Sequence, residues 1–339
     1  EMTDPLFDTP VPERAVMTVM TSGTTGIPKI LFRSFESWAD FFPIQNEVFG
    51  VDADSRLFVQ GSLAFTGNLN LYMGQLAAGG TLIAEDVFLP GKWEQVMARE
   101  RANGIYLIPS KLLMLPRVFK GINPNIRTII SGSQSLGRND AEVLKKIFPN
   151  TEITLYYGAS ELNYITYVKS ADMTEERNLI GKPFPGVRVF IQHDEMYVDN
   201  AFHVENITVP YSLRDSGRMD AQGNFYFLGR TDDIVGVRGR KVSMMKIENA
   251  LEEVAGITEA AVVLLPKEKD ADMPAEIVSA FVTVEGTDVP ENLRQQLKEK
   301  LADFEIPKRV IVLKTLPKNT SGKVDKTRLK KMWMEQEPQ

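Results

Sequence analysis

The chain has 339 residues, no cysteine, two histidines and a formal net charge of −6. At roughly 150 residues per domain this length predicts two domains, and a hydrophobic content of 43% is sufficient for packed cores. The lack of cysteine excludes disulfide scaffolds, cysteine nucleophiles and thiolate metal sites, and two histidines leave little scope for a histidine-based metal site or catalytic triad. Any chemistry must therefore depend on Lys, Arg, carboxylate, hydroxyl and backbone groups.

The first two hundred residues alternate between strand and helix patterns, and we expect the first strand to be buried. The predicted strands cover residues 15–21, 81–84, 105–108, 126–130 and 152–156, and the predicted helices cover 34–49, 93–102, 111–118 and 138–148. This alternation indicates a mostly parallel sheet with helices on its faces. Ligands of such sheets bind at the carboxyl ends of the strands.

The pattern changes twice further along the chain. From about residue 179, short β runs are separated by turn signals at 183–186 and 220–224, which is typical of an antiparallel subdomain. After residue 230, helices are predicted over 246–254 and 291–302 and strands over 260–265 and 277–284. We therefore predict an α/β protein with a mostly parallel sheet subdomain, an antiparallel β subdomain and a smaller α+β C-terminal domain. The expected domains are 1–230 and 231–339.

Charge and hydropathy bear on location and partners. No apolar run approaches the ~18 residues of a membrane span, and the chain does not start with a signal-peptide pattern, so we expect a cytoplasmic protein. The negative net charge argues against a nucleic-acid partner. Residues 308–331 nevertheless carry nine basic side chains and one acid, Asp325. Unless a motif explains this segment, it is a solvated face or a nonspecific patch for polyanions.

A run of Gly, Ser and Thr directly follows the first predicted strand. Six consecutive residues of these types precede Ile27, Pro28 and Lys29, and they are Thr21, Ser22, Gly23, Thr24, Thr25 and Gly26. Small side chains let the backbone approach a ligand closely, and the hydroxyls and amides can converge on phosphate oxygens. A Walker loop is excluded because Gly-Lys-Ser/Thr does not occur here. The alternative is an ordinary flexible turn.

This run resembles the phosphate loop of the adenylate-forming (AMP-binding) superfamily, which includes acyl-CoA synthetases, peptide-synthetase adenylation domains and luciferases. Five further segments resemble motifs of the superfamily in the same order along the chain. They are Tyr157-Gly158-Ala159-Ser160-Glu161, residues 180–189, Asp215, residues 229–233 and residues 317–325. Agreement in order and spacing is far more specific than any one motif.

The resemblance implies an ATP site at these positions. The phosphate loop and Lys29 would hold the β- and γ-phosphates. Glu161 would bind Mg²⁺, which prefers carboxylate oxygen, and Ser160 would contact the α-phosphate. Tyr157, next to Gly158, would stack on adenine. The alternatives are a surface glutamate for Glu161 and core packing for Tyr157.

The rest of the nucleotide site is implied in the same way. Gly132 and Ser133 should line the pocket. Asp215 would accept hydrogen bonds from the ribose hydroxyls and Arg230 would donate to them, unless these two side chains form a surface ion pair, which contributes at most ~1 kcal/mol.

Lys323 is the candidate catalytic lysine. The resemblance implies that it reaches the α-phosphate and the substrate carboxylate, where it would stabilise developing charge. It lies within the basic segment 308–331, and this role would explain why the segment is basic. The resemblance further implies that Asp232 is the hinge of a mobile C-terminal domain and that the Gly239 loop lines the tunnel for the pantetheine of CoA.

These positions indicate an AMP-forming acid–thiol ligase. Phosphoryl transfer depends on positioning and charge neutralisation more than on a proton shuttle, so a histidine-poor chain is suited to it. We expect ATP-dependent conversion of a carboxylic acid to an acyl-adenylate, followed by transfer to coenzyme A, with Mg²⁺ bound. The alternatives are an adenylation domain that loads the phosphopantetheine of a carrier protein and an inactive AMP-binding fragment.

Two departures from the superfamily pattern concern the N-terminus and the substrate. Only 20 residues precede the phosphate loop, where the resemblance implies an N-terminal subdomain, so we interpret the chain as a fragment or a natural short form. Within residues 61–68, many acyl-CoA synthetases have an aromatic residue followed by a histidine, whereas here Phe65 is followed by Thr66. Thr66 also cannot pair with a substrate ammonium, as the acidic residue of amino-acid-activating members does. We therefore expect a fatty or aromatic acid.

Overall fold

The computed structural model describes residues 10–21, 29–237, 240–267, 276–318 and 324–335, with only the backbone for Thr21, Asp232 and Lys241. Contacts between Cα atoms divide the chain into two units. The first comprises Glu1–Leu213 and Gly217–Phe227, and the second comprises Arg214–Ser216 and Leu228–Gln339. No helix within the described ranges is long and apolar enough to cross a membrane.

The first unit begins with an antiparallel hairpin of β1 (Ala15–Thr21) and β2 (Lys29–Ser34). The expectation of a buried first strand is wrong, because Val16 and Met20 are 61% and 58% exposed while Val19 packs against Leu31. A two-stranded antiparallel sheet can leave one face in water, whereas a strand inside a parallel sheet is covered on both faces.

A parallel sheet forms the centre of the first unit. Its strands are β3 (Arg56–Val59), β4 (Thr81–Ala84), β5 (Gly104–Tyr106), β6 (Thr128–Gly132) and β7 (Glu152–Ala159). Their order is β7-β6-β5-β3-β4, and each pair of neighbours is parallel. Every residue of β5 and β6 is buried, as expected for strands covered by helices on both faces. The predicted mixed α/β fold is confirmed.

Prolines divide two of the predicted helices. The helices of this unit are α1 (Phe35–Ala39), α2 (Phe42–Phe49), α3 (Thr66–Ala77), α4 (Pro90–Arg99), α5 (Pro109–Leu112), α6 (Leu115–Val118) and α7 (Arg138–Ile147). Pro43 and Pro116 each lie in the first turn of a new helix. Proline is tolerated there and disfavoured in a helix interior, so the patterns over 34–49 and 111–118 each form two helices.

The sheet continues beyond β7 with antiparallel pairs. The added strands are β8 (Asn163–Lys169), β9 (Leu179–Pro183), β10 (Arg188–Gln192), β11 (Glu195–Asp199), β12 (Tyr211–Met219) and β13 (Phe225–Arg230). Counting only described strands, eleven form one sheet in the order β10-β11-β12-β13-β9-β8-β7-β6-β5-β3-β4. The change from parallel to antiparallel pairing occurs at the tight turn from β7 to β8.

The second unit has its own core beyond the 3-10 turn Thr231–Asp233. Its elements are β14 (Ile234–Val237), β15 (Arg240–Ser243), α8 (Met244–Glu252), β16 (Ile257–Pro266), β17 (Glu276–Val284), α9 (Leu293–Lys298), β18 (Arg309–Val312) and α10 (Lys326–Glu335). β16 pairs with β17 antiparallel, and β17 pairs with β18 parallel. The predicted α+β pattern is present, although α9 is shorter than the expected helix.

Candidate active site

The end of β7 and the turn that follows it carry four of the predicted site residues, Tyr157, Gly158, Ser160 and Glu161. Ser160 and Glu161 lie in the turn itself, and the Ser160 hydroxyl contacts the Thr66 hydroxyl at the start of α3 at 2.5 Å. Asn163 begins β8 with a left-handed backbone (φ 66°). A side chain on Gly158 would lie 2.6 Å from the Asn163 carbonyl oxygen, so this close reversal requires glycine.

Arg33 holds this turn against the first hairpin, and its sequence pattern did not indicate that role. It lies on β2 and is fully buried. Its guanidinium donates to the backbone oxygens of Ser37 at 3.1 Å, Phe202 at 3.0 Å and Ser160 at 2.9 Å. One side chain therefore joins β2, the start of α1, the segment around residue 202 and the turn that carries Ser160 and Glu161.

The electrostatic surroundings of Glu161 involve two neighbours. Burial lowers the pKa of Arg33 to about 10, and the charge of Glu161 opposes that shift. Burial, with a smaller effect of the Glu161 charge, raises the pKa of Tyr211. The Glu161 backbone oxygen accepts a hydrogen bond from the Val204 amide at 2.9 Å, which fixes the turn from the other side. The carboxylate of Glu161 is partly exposed beside a buried cation.

The phosphate-loop hairpin is described only at its two ends. Thr21 ends β1 and is paired with Lys29, which begins β2 and is exposed. Lys29 is four residues before Arg33, or ~13 Å along an extended strand. Ser22, Gly23, Thr24 and Thr25 lie outside the described residues.

Tyr157 is half-buried on β7, and its ring centroid lies 5.8 Å from that of Phe227. The ring therefore packs partly against the protein and remains partly accessible. Either role considered for it, core packing or adenine stacking, is compatible with this position.

Gly132 ends β6, Ser133 follows it, and both contact the neighbouring strand β7. A side chain on Gly132 would lie 2.4 Å from the ring of Tyr156, so the glycine makes room for that ring. Ser133 has a left-handed backbone (φ 70°), is exposed and hydrogen-bonds Tyr156. The Tyr156 hydroxyl also lies 2.8 Å from that of Tyr106, and burial raises the pKa of Tyr156 to about 12. Tyr156 is therefore a neutral support beneath Ser133.

Asp215 and Arg230 lie on β12 and β13 and belong to the second unit. Asp215 is 4% exposed, whereas the Arg230 side chain is half-exposed, and Arg230 Nε lies 3.7 Å from Asp215 Oδ1. The structure thus brings these two predicted residues together. Their separation is that of a long ion pair rather than a bidentate one.

The remaining predictions fall at the edge of, or beyond, the described residues. Asp232 lies in the 3-10 turn Thr231–Asp233, two residues after Arg230, and is described by its backbone alone. Gly239 and Lys323 lie outside the described residues.

The Glu161 carboxylate fits a magnesium ion that is also bound by a substrate. In the part of the chain that the structure describes, no three His, Cys, Asp or Glu side chains cluster as metal ligands. Mg²⁺ commonly takes one or two protein carboxylates and completes its shell with water and substrate phosphates. A single carboxylate at the edge of a turn is adequate for that arrangement.

Comparison with known proteins gives consistent matches across the chain. The model described as AMP-binding enzyme matches residues 3–200, which is more than half of the chain. The model described as AMP-binding enzyme C-terminal domain matches residues 246–323.

Two relatives and one solved structure illustrate the similarity. The uncharacterized acyl–CoA ligase YhfT of Bacillus subtilis (strain 168) is 27% identical over 345 residues, which covers 97% of this chain and 70% of that protein. A component protein of the linear gramicidin synthase of Brevibacillus parabrevis is 26% identical over 347 residues, covering 92% of this chain and 7% of that protein. O-succinylbenzoate coenzyme A synthetase (MenE) from Bacillus subtilis, in complex with ATP and magnesium ion, has a TM-score of 0.80 at 20% identity, covering 92% of this chain and 69% of that one. This last likeness establishes the fold.

Proposed function

This chain belongs to the AMP-binding enzyme family, and from that premise we propose that it is an AMP-forming ligase that joins a carboxylic acid to the thiol of coenzyme A. One observation carries the proposal: Arg33 joins the strand that begins at Lys29 to the carbonyl of Ser160. The two motifs that an ATP-dependent ligase must hold together are thereby tied through one buried side chain.

The first half-reaction forms an acyl-adenylate. A carboxylate oxygen of the acid attacks the α-phosphorus of ATP, the bond from that phosphorus to the bridging oxygen breaks, and pyrophosphate leaves. No proton is transferred. The protein therefore contributes positioning and charge stabilisation.

Each predicted site residue near the phosphates has a separate part in this step. Ser160, oriented by Thr66, donates to the α-phosphate, and Lys29 with the loop of residues 21–25 binds the outgoing phosphates. Lys323 supplies positive charge between the carboxylate and the α-phosphate. Glu161 would hold Mg²⁺, which would supply charge neutralisation at the phosphate oxygens when bound.

The nucleoside part of ATP is assigned to the remaining residues. Tyr157 stacks on adenine, and Gly132, Ser133 and Gly158 line the pocket. Asp215 accepts hydrogen bonds from the ribose hydroxyls, and Arg230 donates to them. The burial of the Asp215 carboxylate supports this role, because a buried acceptor gains most from a ligand donor.

The second half-reaction transfers the acyl group. The thiol sulfur of CoA attacks the acyl carbon, the carbon–oxygen bond to AMP breaks, and the thiol proton is released. We assign the hinge between a large domain over 1–230 and a mobile domain over 231–339 to Asp232, and the tunnel for pantetheine to the Gly239 loop. We also propose a cytoplasmic location and small-molecule rather than nucleic-acid partners, in keeping with the net charge of −6.

The acid is proposed to be fatty or aromatic. Thr66, whose hydroxyl contacts Ser160, offers no charge for a substrate ammonium. The apolar residues that follow Thr66 on α3 do not lie on one face of the helix, however. Leu71 is fully buried in the core, while Met73 lines an open groove of about 740 Å³ between α2 and α3. The apolar side chains of α3 therefore do not form a single acyl pocket.

The proposal is tested by exchange of labelled pyrophosphate into ATP with a panel of carboxylic acids. We expect exchange that depends on the acid and on Mg²⁺, followed by thioester formation with CoA. AMP binding without exchange for any acid would instead identify a nucleotide-binding fragment.

A second candidate function is the loading of a carrier protein, which the similarity to linear gramicidin synthase favours. It shares the first half-reaction with the main proposal. Thioester formation with a phosphopantetheinylated carrier but not with free CoA would establish it.

A further inference from the structure

We propose that Lys111 is a specificity-determining residue and that the acid activated by this chain carries a second carboxylate at the end remote from the reacting one. This inference rests on the proposed function and narrows its substrate class. It starts from a half-buried lysine whose partners are neutral.

Lys111 lies where open parallel sheets bind ligands. It is on α5, shortly after β5, while Gln60 follows β3 and Gln134 lies two residues beyond β6. β3, β5 and β6 are neighbouring parallel strands, so their carboxyl ends meet at one edge of the sheet. Substrates of such sheets bind at that edge.

The surroundings of Lys111 are continuous with the candidate active site. Gln134 directly follows Ser133, and its side-chain oxygen accepts a hydrogen bond from the Ser110 amide at 2.9 Å. On the other side, Gly61 follows Gln60 and its carbonyl accepts from the Tyr72 hydroxyl of α3 at 3.2 Å. The same helix begins at Thr66, which contacts Ser160.

The ammonium of Lys111 has spare hydrogen-bonding capacity. It donates to the backbone oxygen of Gln60 at 3.2 Å and to the side-chain oxygen of the same residue. A lysine has three N–H donors, so one is left for another acceptor. The ring of Phe88 lies 6.0 Å away and gives an apolar surface beside the charge.

Lys111 is partly buried and, among the described residues, has no acid beside it. Within the described ranges, no carboxylate forms an ion pair with it, and burial lowers its pKa. Three lysines that are more exposed each pair with a glutamate, and these pairs are Lys246–Glu305, Lys300–Glu253 and Lys318–Glu259. A partly desolvated cation with neutral partners attracts an anion more strongly than a paired one does. A substrate carboxylate supplies the missing charge.

The experiment compares matched acids in pyrophosphate exchange. The pairs are linear α,ω-dicarboxylic acids against monocarboxylic acids of equal carbon number, and terephthalic acid against 4-methylbenzoic acid. We expect the wild-type chain to prefer the diacid of at least one pair. In Lys111→Met, the ratio of kcat/KM for that diacid over its monoacid should fall about 10- to 100-fold, as for loss of a charged hydrogen bond.

Two further variants separate specificity from folding. Lys111→Arg should restore most of the diacid preference, because the positive charge is kept. Lys92→Met removes a lysine from the exposed side of α4 and should leave the ratio unchanged. Equal losses for diacids and monoacids in Lys111→Met, or no diacid preference in the wild type, would overturn the inference.

Failure of the proposed function gives a different result. If no acid supports exchange, the ligase assignment fails, and equilibrium dialysis of the labelled diacids then decides the question of Lys111. Diacid binding that is lost in Lys111→Met upholds the inference. Binding that is absent, or the same in both proteins, overturns it.

Discussion

Arg33 and Lys111 are two cations of the first unit that are withdrawn from water, and they are hydrogen-bonded in different ways. Arg33 is fully buried and donates to three backbone oxygens that belong to different segments. Lys111 is half-buried and donates to a single glutamine. A cation that joins several segments stabilises the fold, whereas one held by a single residue can accept a ligand.

Removing Arg33 should have the largest effect. Arg33→Met leaves three carbonyl oxygens without their donor and releases the turn of Ser160 and Glu161. We expect a loss of about 3–4 kcal/mol in the free energy of unfolding, measured by urea denaturation, together with loss of pyrophosphate exchange.

A matched control is Arg188→Met, since Arg188 pairs with Asp199 at 2.7 Å but its side chain is 68% exposed. It should cost ~0.5 kcal/mol or less. Equal losses of unfolding free energy in the two variants would show that the hydrogen bonds of Arg33 contribute no more to stability than an exposed ion pair does.

Arg33→Lys should give an intermediate result. Lysine keeps the charge but lacks the planar fork that reaches three carbonyl groups at once. We expect a loss of about 2 kcal/mol in denaturation and partial retention of exchange. Full stability in this variant would mean that the charge alone, and not the geometry of the hydrogen bonds, holds the turn in place.

Gln60→Glu tests the claim that the neutral partner of Lys111 matters. The new carboxylate would pair with the ammonium and compete with that of a substrate, so the preference for diacids should fall about tenfold, or ~1.4 kcal/mol. Gln222→Glu adds the same charge in an exposed turn and is the control. A diacid preference that survives Gln60→Glu would contradict the role given to Lys111.

The smallest effect concerns stability and pH. Burial lowers the folded-state pKa of Lys111, so between that value and the usual 10.5 the unfolded state binds more protons and stability contributed by this site rises with pH. At pH values below this range, Lys111 is charged in the folded state and the full cost of burying that charge is present. Lys111→Met should therefore be more stable than the wild type at pH 8, and the difference should shrink towards pH 10.5. Destabilisation at pH 8 would place Lys111 with Arg33 as a structural cation.

The sequence was sufficient for part of this picture. Hydrophobic patterns predicted β1, β4 and α7 almost to the residue. The motif order predicted Ser160 and Glu161 as site residues, and that role stays a prediction. α3 was not predicted, because Gly67, Asn68 and Asn70 are poor helix formers. Its Asn70 side chain instead bonds Trp38 and Asn163, each at 2.7 Å, so tertiary contacts override local preference.

Arg33 and Lys111 could not be selected from the sequence for a related reason. Neither belongs to a motif that the resemblance brought out, and both read as ordinary basic residues in a chain with 39 of them. Their importance depends on burial and on partners that are distant in sequence, such as Phe202 for Arg33 and Gln60 for Lys111. Those properties exist only in the folded chain.

The central claim is that this chain activates an acid with ATP through the lysine of its terminal loop, and Lys323→Ala tests it most directly. Pyrophosphate exchange is measured with the best acid of the panel, and AMP binding is measured in parallel by titration. We predict that the variant loses exchange by at least about 100-fold while AMP affinity changes by less than about threefold. Exchange that is unchanged in Lys323→Ala would contradict the account.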